Sequence, residues 1–477
     1  MRRRALDLSP DVRARVLSTL GDTVLEHLDG DDGAVTPAMT TDEVRERIGR
    51  LDFDAPLAPD DAMEQVTALL RDGIVHTGHP RYFGLFNPRP AFMGIAGDLL
   101  TALFNPQLAA TSHAPAAVEL ERHVVATFAR WLGLPERTEG SFTSGGAEAN
   151  HTAVLVALQR MVPGVASGGL RAASGQPVLY ASADSHLAWL KIAHATGLGR
   201  DAVRLIGVDE SSRMEVGALR DAIRADRAAG RLPFLVVGTF GTTSSGTIDP
   251  LDELAALCAA ERLHLHVDAA WGGAICVSDR LRPLLAGCER ADTVTLDAHK
   301  WLSAPMGAGM LLSADPAALA ETFAVTTGYM PDPTEAAPDP YSTTMQWSRR
   351  AIGVKVALTL LTAGRSGHAT IVEQDCDLGD RLRSRLCSDG WEIVNDTPLP
   401  VVCFVDPDHD DAHHQRIADE IVRSGRAWLS TVPVGGRRAL RACVISHATT
   451  QQDVDAFADE LQRFRSRDDR RCTSKRP

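Results

Sequence analysis

Residues 293–307 read "TVTLDAHKWLSAPMG" and join an apolar run of β-strand character to a cluster of polar side chains. Asp297, His299 and Lys300 follow directly after this run, and Lys300 is one of only four lysines in the chain. An amine can lose its proton and act as a nucleophile, whereas a guanidinium stays protonated. The retained lysine therefore indicates chemistry that arginine cannot perform.

A second stretch, "LHLHVDAAWGG" at residues 263–273, has the same form. Its apolar run ends at Asp268, and the small residues that follow let another group approach the backbone. Consecutive βα units place the carboxyl ends of their strands at one edge of a sheet, so Asp268 and Lys300 are expected to face one pocket. Taken singly, each is more simply explained as a helix-capping aspartate or a surface lysine.

Apolar β-like runs alternate with helical segments along the middle of the chain. Strands are predicted at residues 177–182, 203–208, 233–241, 263–270 and 292–297, with helices at 215–229, 250–261 and 278–288. Continuous apolar strands separated by helices favour a buried, mostly parallel sheet with right-handed crossovers. The predicted fold class is therefore α/β.

The flanking regions indicate further parts of the chain. Residues 1–78 read as a polar, helical N-terminal segment, and residues 79–355 as the large α/β domain. Residues 356–465 combine strands and helices in a small C-terminal α+β domain, and residues 466–477 are expected to be a disordered tail.

Composition and charge argue against several classes of protein. The formal net charge of −13 argues against nucleic acid or an anionic membrane as a partner. No apolar stretch reaches the roughly 18 residues that span a bilayer, and the basic N-terminus lacks the apolar region of a secretory signal. The eight scattered cysteines predict reduced thiols in the cytoplasm, with no disulfide framework and no zinc site.

Three further features could belong to the pocket of Asp268 and Lys300. Gly145 and Gly146 open a predicted helix, where exposed backbone N–H groups form a seat for phosphate. Thr243 follows one strand, and His186 follows another, where its ring could lie over a planar ligand. Each feature alone is usually structural. Together they describe a pocket for pyridoxal phosphate, because only lysine forms a Schiff base with its aldehyde.

At these positions the sequence resembles the group II pyridoxal-phosphate-dependent amino-acid decarboxylases, which include aromatic-L-amino-acid, tyrosine and glutamate decarboxylases. The resemblance covers about residues 50–460 and is carried by "HPRYFGLF", "SGGAEAN", "SHLAWLKIA", "GTFGTTSSGTID", "HVDAAWGG", "DAHKW" and "LRACVISHATT". It implies a fold-type I, aspartate-aminotransferase-like architecture and a homodimer with active sites at the subunit interface. It also implies decarboxylation of an L-amino acid through an external aldimine and a quinonoid intermediate.

The resemblance implies a role for each residue of the pocket. Lys300 would hold the cofactor as an internal aldimine, Asp268 would keep the ring nitrogen protonated, and His186 would stack on the ring. The other cofactor contacts that it implies are Gly145, Gly146, Ala147, Thr243, Ala270 and His299. Asp297 is a further candidate for a cofactor contact, but it departs from family members that carry an amide at this position. A carboxylate beside a phosphate dianion is unfavourable, so the resemblance leaves the role of Asp297 open.

The resemblance also places a mobile catalytic loop at residues 326–350. Tyr341 is the best match for the tyrosine that returns a proton to the substrate carbon after CO2 leaves, and Tyr329 is the alternative. Such loops commonly exclude water from the reaction.

The substrate side chain would meet an apolar wall made by Phe83, Leu85 and Phe86. This wall favours an aliphatic or aromatic amino acid over an acidic one. Arg89 could join the wall or face solvent, and Arg441 could approach the site or make a structural pair.

Three other functions stay open on the same scaffold. They are an aldehyde synthase that adds oxidative deamination, a carbon–carbon lyase, and a non-catalytic regulator that binds pyridoxal phosphate. The presence of both Tyr341 and His186 favours simple decarboxylation.

The stretch "DPDHDDAHHQRIADEIV" at residues 406–422 looks like a metal cluster with His409, His413 and His414. Acidic side chains are also favoured at a helix start by the helix dipole. We therefore expect a solvated helix start there, and no metal site.

Overall fold

A computed structural model of the chain describes residues 6–30, 33–325, 328 and 338–473, with side chains as far as residue 465. Three helices form the N-terminal segment: α1 (Pro10–Asp29), α2 (Thr41–Ile48) and α3 (Pro59–Gly73). A capping box between Thr40 and Glu43 fixes the start of α2. No residue of these three helices is buried, so the described part of the chain leaves their apolar faces uncovered.

Seven strands form the central sheet, in the order β1-β7-β6-β5-β4-β2-β3. They are β1 (Glu139–Thr143), β2 (Pro177–Ser182), β3 (Val203–Ile206), β4 (Leu232–Thr239), β5 (His264–Asp268), β6 (Thr293–Asp297) and β7 (Gly309–Ser313). β7 runs antiparallel to both neighbours, and the other pairings are parallel. The predicted α/β class with a mostly parallel sheet is confirmed.

Helices cover both faces of this sheet. The helices that contact its strands are α5 (Pro115–Leu132), α6 (Gly146–Met161), α8 (Ala188–Ala195), α9 (Val216–Ala228) and α10 (Leu251–Glu261). The same part of the chain contains α4 (Phe92–Phe104), which packs on the long helix after the sheet, and the short helices α7 (Val165–Gly168) and α11 (Ala318–Phe323), which contact α6. Successive residues of β4 enter different apolar cores: Val236 packs with residues of α9 and α10, and Leu235 and Val237 pack with residues of α6 and α8. Burial on both faces explains why the strands read as continuous apolar runs.

The α-helix predicted at residues 278–288 is wrong. Three short 3₁₀ segments, Gly272–Val277, Arg282–Leu285 and Cys288–Arg290, connect β5 to β6 instead. Pro283 lacks a backbone donor, and Gly287 adopts a φ of +93°, so this stretch cannot continue as a regular helix.

A long helix, α12 (Gly353–Ser388), leads into the small domain and changes direction at Gly364. Four antiparallel strands follow in the order β10-β11-β9-β8: β8 (Glu392–Ile393), β9 (Val401–Val405), β10 (Ser430–Val434) and β11 (Arg437–Cys443). They pack with α13 (Asp411–Ser424) and α14 (Gln451–Thr473), and α14 continues past residue 465 into the segment predicted as a tail.

Among the described residues, no single helix is long and apolar enough to cross a membrane. α6 and residues 165–172, taken together, are long and apolar enough to do so, but the two parts meet at a bend of 112°.

Candidate active site

The site lies where two neighbouring strands end. Asp268 is the last residue of β5 and Asp297 is the last residue of β6, and these two strands pair in parallel. The charges of Asp268 and Lys300 both reach the ring of His186, where they shift its pKa in opposite directions. The structure therefore places Asp268 and Lys300 within electrostatic range of His186.

Lys300 stands on a tight turn that follows β6. Its backbone N–H donates to the carbonyl of Asp297, and its Nζ lies 3.1 Å from Asp297 Oδ2. The next side chain, Trp301, is buried and donates from Nε1 to Asp375 Oδ2 at 2.7 Å. Burial raises the pKa of Asp375 to about 8. Trp301 thus anchors the turn to the protein core. The side chain of Lys300 is 24% exposed.

Asp268 is held by two donors. Asn150 Nδ2 donates to its Oδ2 at 2.8 Å, and the backbone N–H of Ala270 donates to its Oδ1 at 3.2 Å. Only 6% of Asp268 is exposed. The carboxylate is therefore fixed in direction at the base of the site.

The turn before α6 forms a cradle of close backbone approaches. A Cβ on Gly146 would lie 2.9 Å from Asp297 Oδ2, and one on Gly145 would lie 3.4 Å from the His299 ring. The helix N-terminus has no side-chain cap, so its first N–H groups, with Ala147 in the first turn, can serve an anion. His299 accepts from the N–H of Ala308 at Nδ1, which leaves its proton on Nε2, and burial lowers its pKa.

Asp297 lies inside this cradle. Its Oδ2 accepts from the N–H of Gly146 at 3.0 Å and lies 3.8 Å from His299 Nε2, in addition to its contact with Lys300. Its Oδ1 is buried without a hydrogen-bond partner among the described residues. Donors that the sequence assigns to a phosphate therefore surround this carboxylate. The amine of Lys300, the carboxylate of Asp268 and the N–H groups at the start of α6 together fit pyridoxal phosphate.

His186 lies at the open side of the site with an exposed side chain. Its Nδ1 accepts from the N–H of Ala188 at 3.1 Å. Desolvation is the largest cause of its lowered pKa, followed by Asp268, which opposes the shift, and Lys300, which adds to it. The ring is therefore neutral near neutral pH, with its proton on Nε2.

Arg441 makes a structural pair, one of the two alternatives that the sequence left open. The buried guanidinium donates to the carbonyl of Thr243 and, at 3.1 Å, to that of Gly84. It thereby ties the loop after β4 to the segment predicted as the substrate wall. Arg89 donates to the backbone carbonyl of Gly78 at 2.7 Å.

The prediction that Phe83 contacts substrate is wrong. Phe83 is fully buried in the core of the small domain, 4.5 Å from the ring of Phe457. Its backbone pairs with Trp428 and Cys443, which turns the side chain away from the site. Phe86 is buried and stacks on Trp271 at 4.4 Å, and Leu85 is 46% exposed.

Tyr341 lies in a 3₁₀ turn, Pro340–Ser342, after the part of the loop outside the described residues. Its N–H donates to the carbonyl of Ala109 at 3.0 Å, and its ring lies 5.1 Å from Trp347. None of the contacts given by the described residues joins Tyr341 to Lys300. Tyr329 lies outside the described residues.

The same segment does touch the cradle turn. Gln346 Nε2 donates to Glu148 Oε1 at 2.6 Å, and Glu148 Oε2 accepts from the N–H of Ser144 at 2.7 Å. The end of the predicted lid is thus connected to the start of α6.

The expected solvated helix start at residues 406–422 is wrong, because His413 and His414 are fully buried. Asp406, His409 and His413 offer ligand atoms within 4.8 Å of one another. However, the rings of His409 and His413 stack at 4.0 Å and 14°, and an ion must lie in the plane of each ring that binds it. Arg465 Nε also lies 2.7 Å from Asp406 Oδ2. This geometry favours an ion-pair cluster.

Sequence reasoning missed Asn150 and His266, which lie behind Asp268. His266 Nε2 lies 3.0 Å from Asn150 Oδ1. A signal was present, since His264, His266 and Asp268 alternate along β5 and therefore share one face of the strand.

A family model described as the pyridoxal-dependent decarboxylase conserved domain matches residues 46–405. An L-2,4-diaminobutyrate decarboxylase of Rhizobium meliloti is 32% identical over 80% of this chain and 77% of its own length. An aromatic-L-amino-acid decarboxylase of Bacillus atrophaeus is 27% identical over 92% of this chain and 94% of its own length.

Solved structures share the fold. Mouse CSAD superposes with a TM-score of 0.90 at 26% identity, covering 96% of this chain and 99% of that one. A 4-hydroxyphenylacetaldehyde synthase of Rhodiola rosea superposes with a TM-score of 0.85 at 25% identity, covering 97% of this chain and 99% of that one. The predicted fold-type I architecture is confirmed.

Proposed function

Because this chain belongs to the pyridoxal-dependent decarboxylase family and is a pyridoxal-phosphate-dependent amino-acid decarboxylase, we propose which substrates it takes and how its residues act. The substrate is an L-amino acid with an aliphatic or aromatic side chain, and the products are its amine and CO2. The observation that carries the proposal is the placement of Asp268 and Lys300 at the ends of adjacent parallel strands, with His186 beside both.

The bound cofactor supplies an aldehyde for covalent attachment and a ring that accepts electrons from the substrate's Cα. Lys300 would hold the aldehyde end, and Asp268 would lie at the ring nitrogen. Gly145, Gly146 and His299 would hold the phosphate.

The side chains of the site orient the reacting amine, cover the cofactor and contact the substrate. Asp297 Oδ2, 3.1 Å from Nζ, directs the Lys300 amine into the site. The neutral ring of His186 covers one face of the cofactor without adding charge. Of the predicted apolar wall, Leu85 is half-exposed and would contact the substrate side chain. Phe86 is buried and supports the wall by stacking on Trp271.

Incubating the purified protein with pyridoxal phosphate and each of the twenty amino acids tests this function. Release of CO2 with an equimolar amine is the expected result. Ammonia and peroxide would instead identify an aldehyde synthase, and an aldehyde fragment without CO2 would identify a carbon–carbon lyase. Binding of the cofactor with no product from any amino acid would point to a regulator.

The aldehyde synthase is a second candidate, favoured by the structural likeness to the Rhodiola enzyme. The Tyr341→Phe variant separates the two, because it removes the phenol proposed to protonate the substrate carbon. We expect amine formation to fall by about 10²-fold and the fraction of aldehyde to rise. Both are measured by chromatography of one reaction. An unchanged ratio of amine to aldehyde at an unchanged rate would remove Tyr341 from the reaction.

His186 predicts an acid limb in the pH profile of kcat. Its pKa is lowered, so the ring is neutral at neutral pH and gains a charge only as the pH falls below the ordinary value of about 6.5. Protonation puts a cation beside Lys300, and activity should fall with it. The residual activity of His186→Phe should lack this limb, while His194→Gln, on the adjacent helix, should keep it. An acid limb that persists in His186→Phe would assign it to another group.

We also propose a homodimer that completes the active site. The supporting observation is an apolar surface on α1, α3 and α4 whose exposed members are Leu17, Leu25, Val66, Leu70, Leu99, Leu100, Leu103 and Phe104. Large apolar side chains exposed together on helices are typical of interaction sites.

Introducing two charges into this surface with Leu103→Glu and Phe104→Glu is expected to give monomers in sedimentation velocity experiments. Those monomers should lose activity, because the site then lacks the partner's contribution. Leu205→Glu, an exposed position on edge strand β3, is the matched control and should remain a dimer. A doubly charged variant that stays dimeric would place the interface elsewhere.

A further inference from the structure

A line of buried polar side chains runs from Asp268 away from the cofactor site and into the sheet. His266 and His264 lie on the same face of β5 as Asp268, and Thr293 begins the neighbouring strand β6. Asn150 on α6 joins them to Asp268. None of these side chains is more than 6% exposed. A buried polar group costs free energy unless it is hydrogen-bonded, so the direction of each bond matters.

The directions follow from Asp268, whose carboxylate can only accept. Asn150 therefore turns Nδ2 toward Asp268 at 2.8 Å and turns Oδ1 toward His266. That oxygen is an acceptor, so His266 Nε2 carries a proton and donates at 3.0 Å.

The rest of the line is fixed by the same reasoning. Burial lowers the pKa of His266 to about 3, so its ring is neutral and its Nδ1 must accept. The Thr293 hydroxyl donates to that Nδ1 at 2.9 Å and accepts from His264 Nε2 at 2.9 Å. Burial lowers the pKa of His264 to about 4, so this ring is neutral as well. All four hydrogen bonds thus point toward the carboxylate.

Packing keeps the central ring in place. The indole of Trp189 meets the His266 ring edge-on, with centroids 5.6 Å apart. Thr295 Oγ1 lies 3.4 Å from His266 Nε2, too long for it to compete with Asn150. His266 is therefore held in one orientation and one tautomer.

We infer that His264, Thr293, His266 and Asn150 form a positioning relay whose aligned hydrogen bonds hold Asp268 Oδ2. Oδ1 accepts only from the N–H of Ala270 among the described residues, so it keeps a lone pair with which it would face the ring nitrogen of the cofactor. The inference rests on the proposed role of Asp268. Donors aligned toward a carboxylate stabilise its negative charge, and a negative charge at the ring nitrogen keeps that nitrogen protonated. The relay thus acts on the electron-accepting power of the cofactor without touching it.

The test uses the full-length protein loaded with pyridoxal phosphate labelled with ¹⁵N in its ring. The ¹⁵N chemical shift reports directly whether the ring nitrogen carries a proton. His266→Phe removes both ring nitrogens, whereas His266→Gln keeps a donor near the position of Nε2. Thr293→Val breaks the line one step further away with little change of volume. Tyr180→Phe is the control, because it removes a buried hydrogen bond from Tyr180 on β2 to Asp226 on α9, outside the relay.

The relay predicts that His266→Phe and Thr293→Val move the ¹⁵N shift toward the unprotonated value and lower kcat by about 10-fold or more with little change in KM. His266→Gln should recover part of both effects, and Tyr180→Phe should change neither. The relay is excluded if His266→Phe and Thr293→Val lower only the melting temperature, which is the effect expected of Tyr180→Phe. Should His266→Phe fail to fold, Thr293→Val and His266→Gln decide the matter by the same two readouts.

A failure of the proposed function would look different. In that case wild-type protein reduced with borohydride would carry no pyridoxyl group on Lys300. If Lys300 is labelled and the relay variants keep the wild-type ¹⁵N shift, the relay alone fails.

Discussion

Replacing Lys300 with arginine is expected to lower the rate of CO2 release by about a thousandfold or more, because a guanidinium can neither bond to the aldehyde nor exchange a proton with the substrate. The variant keeps a positive charge near Asp297 Oδ2, so the fold should survive. The cofactor should then leave the protein during gel filtration, since its covalent attachment is lost and only noncovalent contacts remain.

Lys191→Arg provides the matched control for Lys300→Arg. Lys191 is exposed on α8 and close enough to His186 for its charge to lower that ring's pKa. The same change of amine to guanidinium at this position should leave both CO2 release and cofactor retention within about twofold of wild type. Activity and cofactor retention in Lys300→Arg as high as in Lys191→Arg would mean that Lys300 contributes only its charge.

Replacing Asp268 with asparagine is expected to lower kcat by about a hundredfold or more. The amide has the shape of the carboxylate but lacks its charge, so it cannot hold a proton on the ring nitrogen of the cofactor. An amide oxygen can keep the Asn150 contact at Oδ2, but the amide NH2 then faces the N–H of Ala270, so the melting temperature is measured beside kcat to separate a loss of structure from a loss of charge. The measurement is kcat with saturating cofactor.

Rescue distinguishes charge from shape at position 268. A cofactor analogue methylated at the ring nitrogen carries a permanent positive charge and needs no carboxylate to keep it. This analogue should restore part of the activity of Asp268→Asn and should not improve the wild-type protein. Activity of Asp268→Asn that stays low with the analogue would assign Asp268 a purely structural role.

The strands that place the site could be predicted because burial on both faces makes them continuous apolar runs. β5 and β6 end at Asp268 and Asp297, each of which is the only acidic residue of its strand. Neighbouring parallel strands then fix the relative position of Asp268 and Lys300 without any knowledge of side-chain contacts.

Contacts between distant segments could not be predicted in this way. The sequence predicts Phe83 as part of an apolar wall, but its backbone pairs with the small domain and its side chain packs in the core of that domain. Asn150 and His266 are 116 residues apart, and nothing local to either predicts their hydrogen bond.

The histidines of α13 are a different kind of error. The buried residues of this helix include His413, His414, Ile417 and Ile421, which form one amphipathic stripe. Their helical spacing therefore predicts that these residues are buried, but the acidic residues at the helix start favour a solvated segment.

The attachment point of the cofactor is the most direct test of the account. Wild-type protein loaded with pyridoxal phosphate would be reduced with borohydride, digested and mapped by mass spectrometry. We expect the pyridoxyl mass on the peptide that contains Lys300, and on no peptide that contains Lys191 or Lys355. A label on either of those lysines, or none at all in protein that retains the cofactor, would contradict the assignment of the active site.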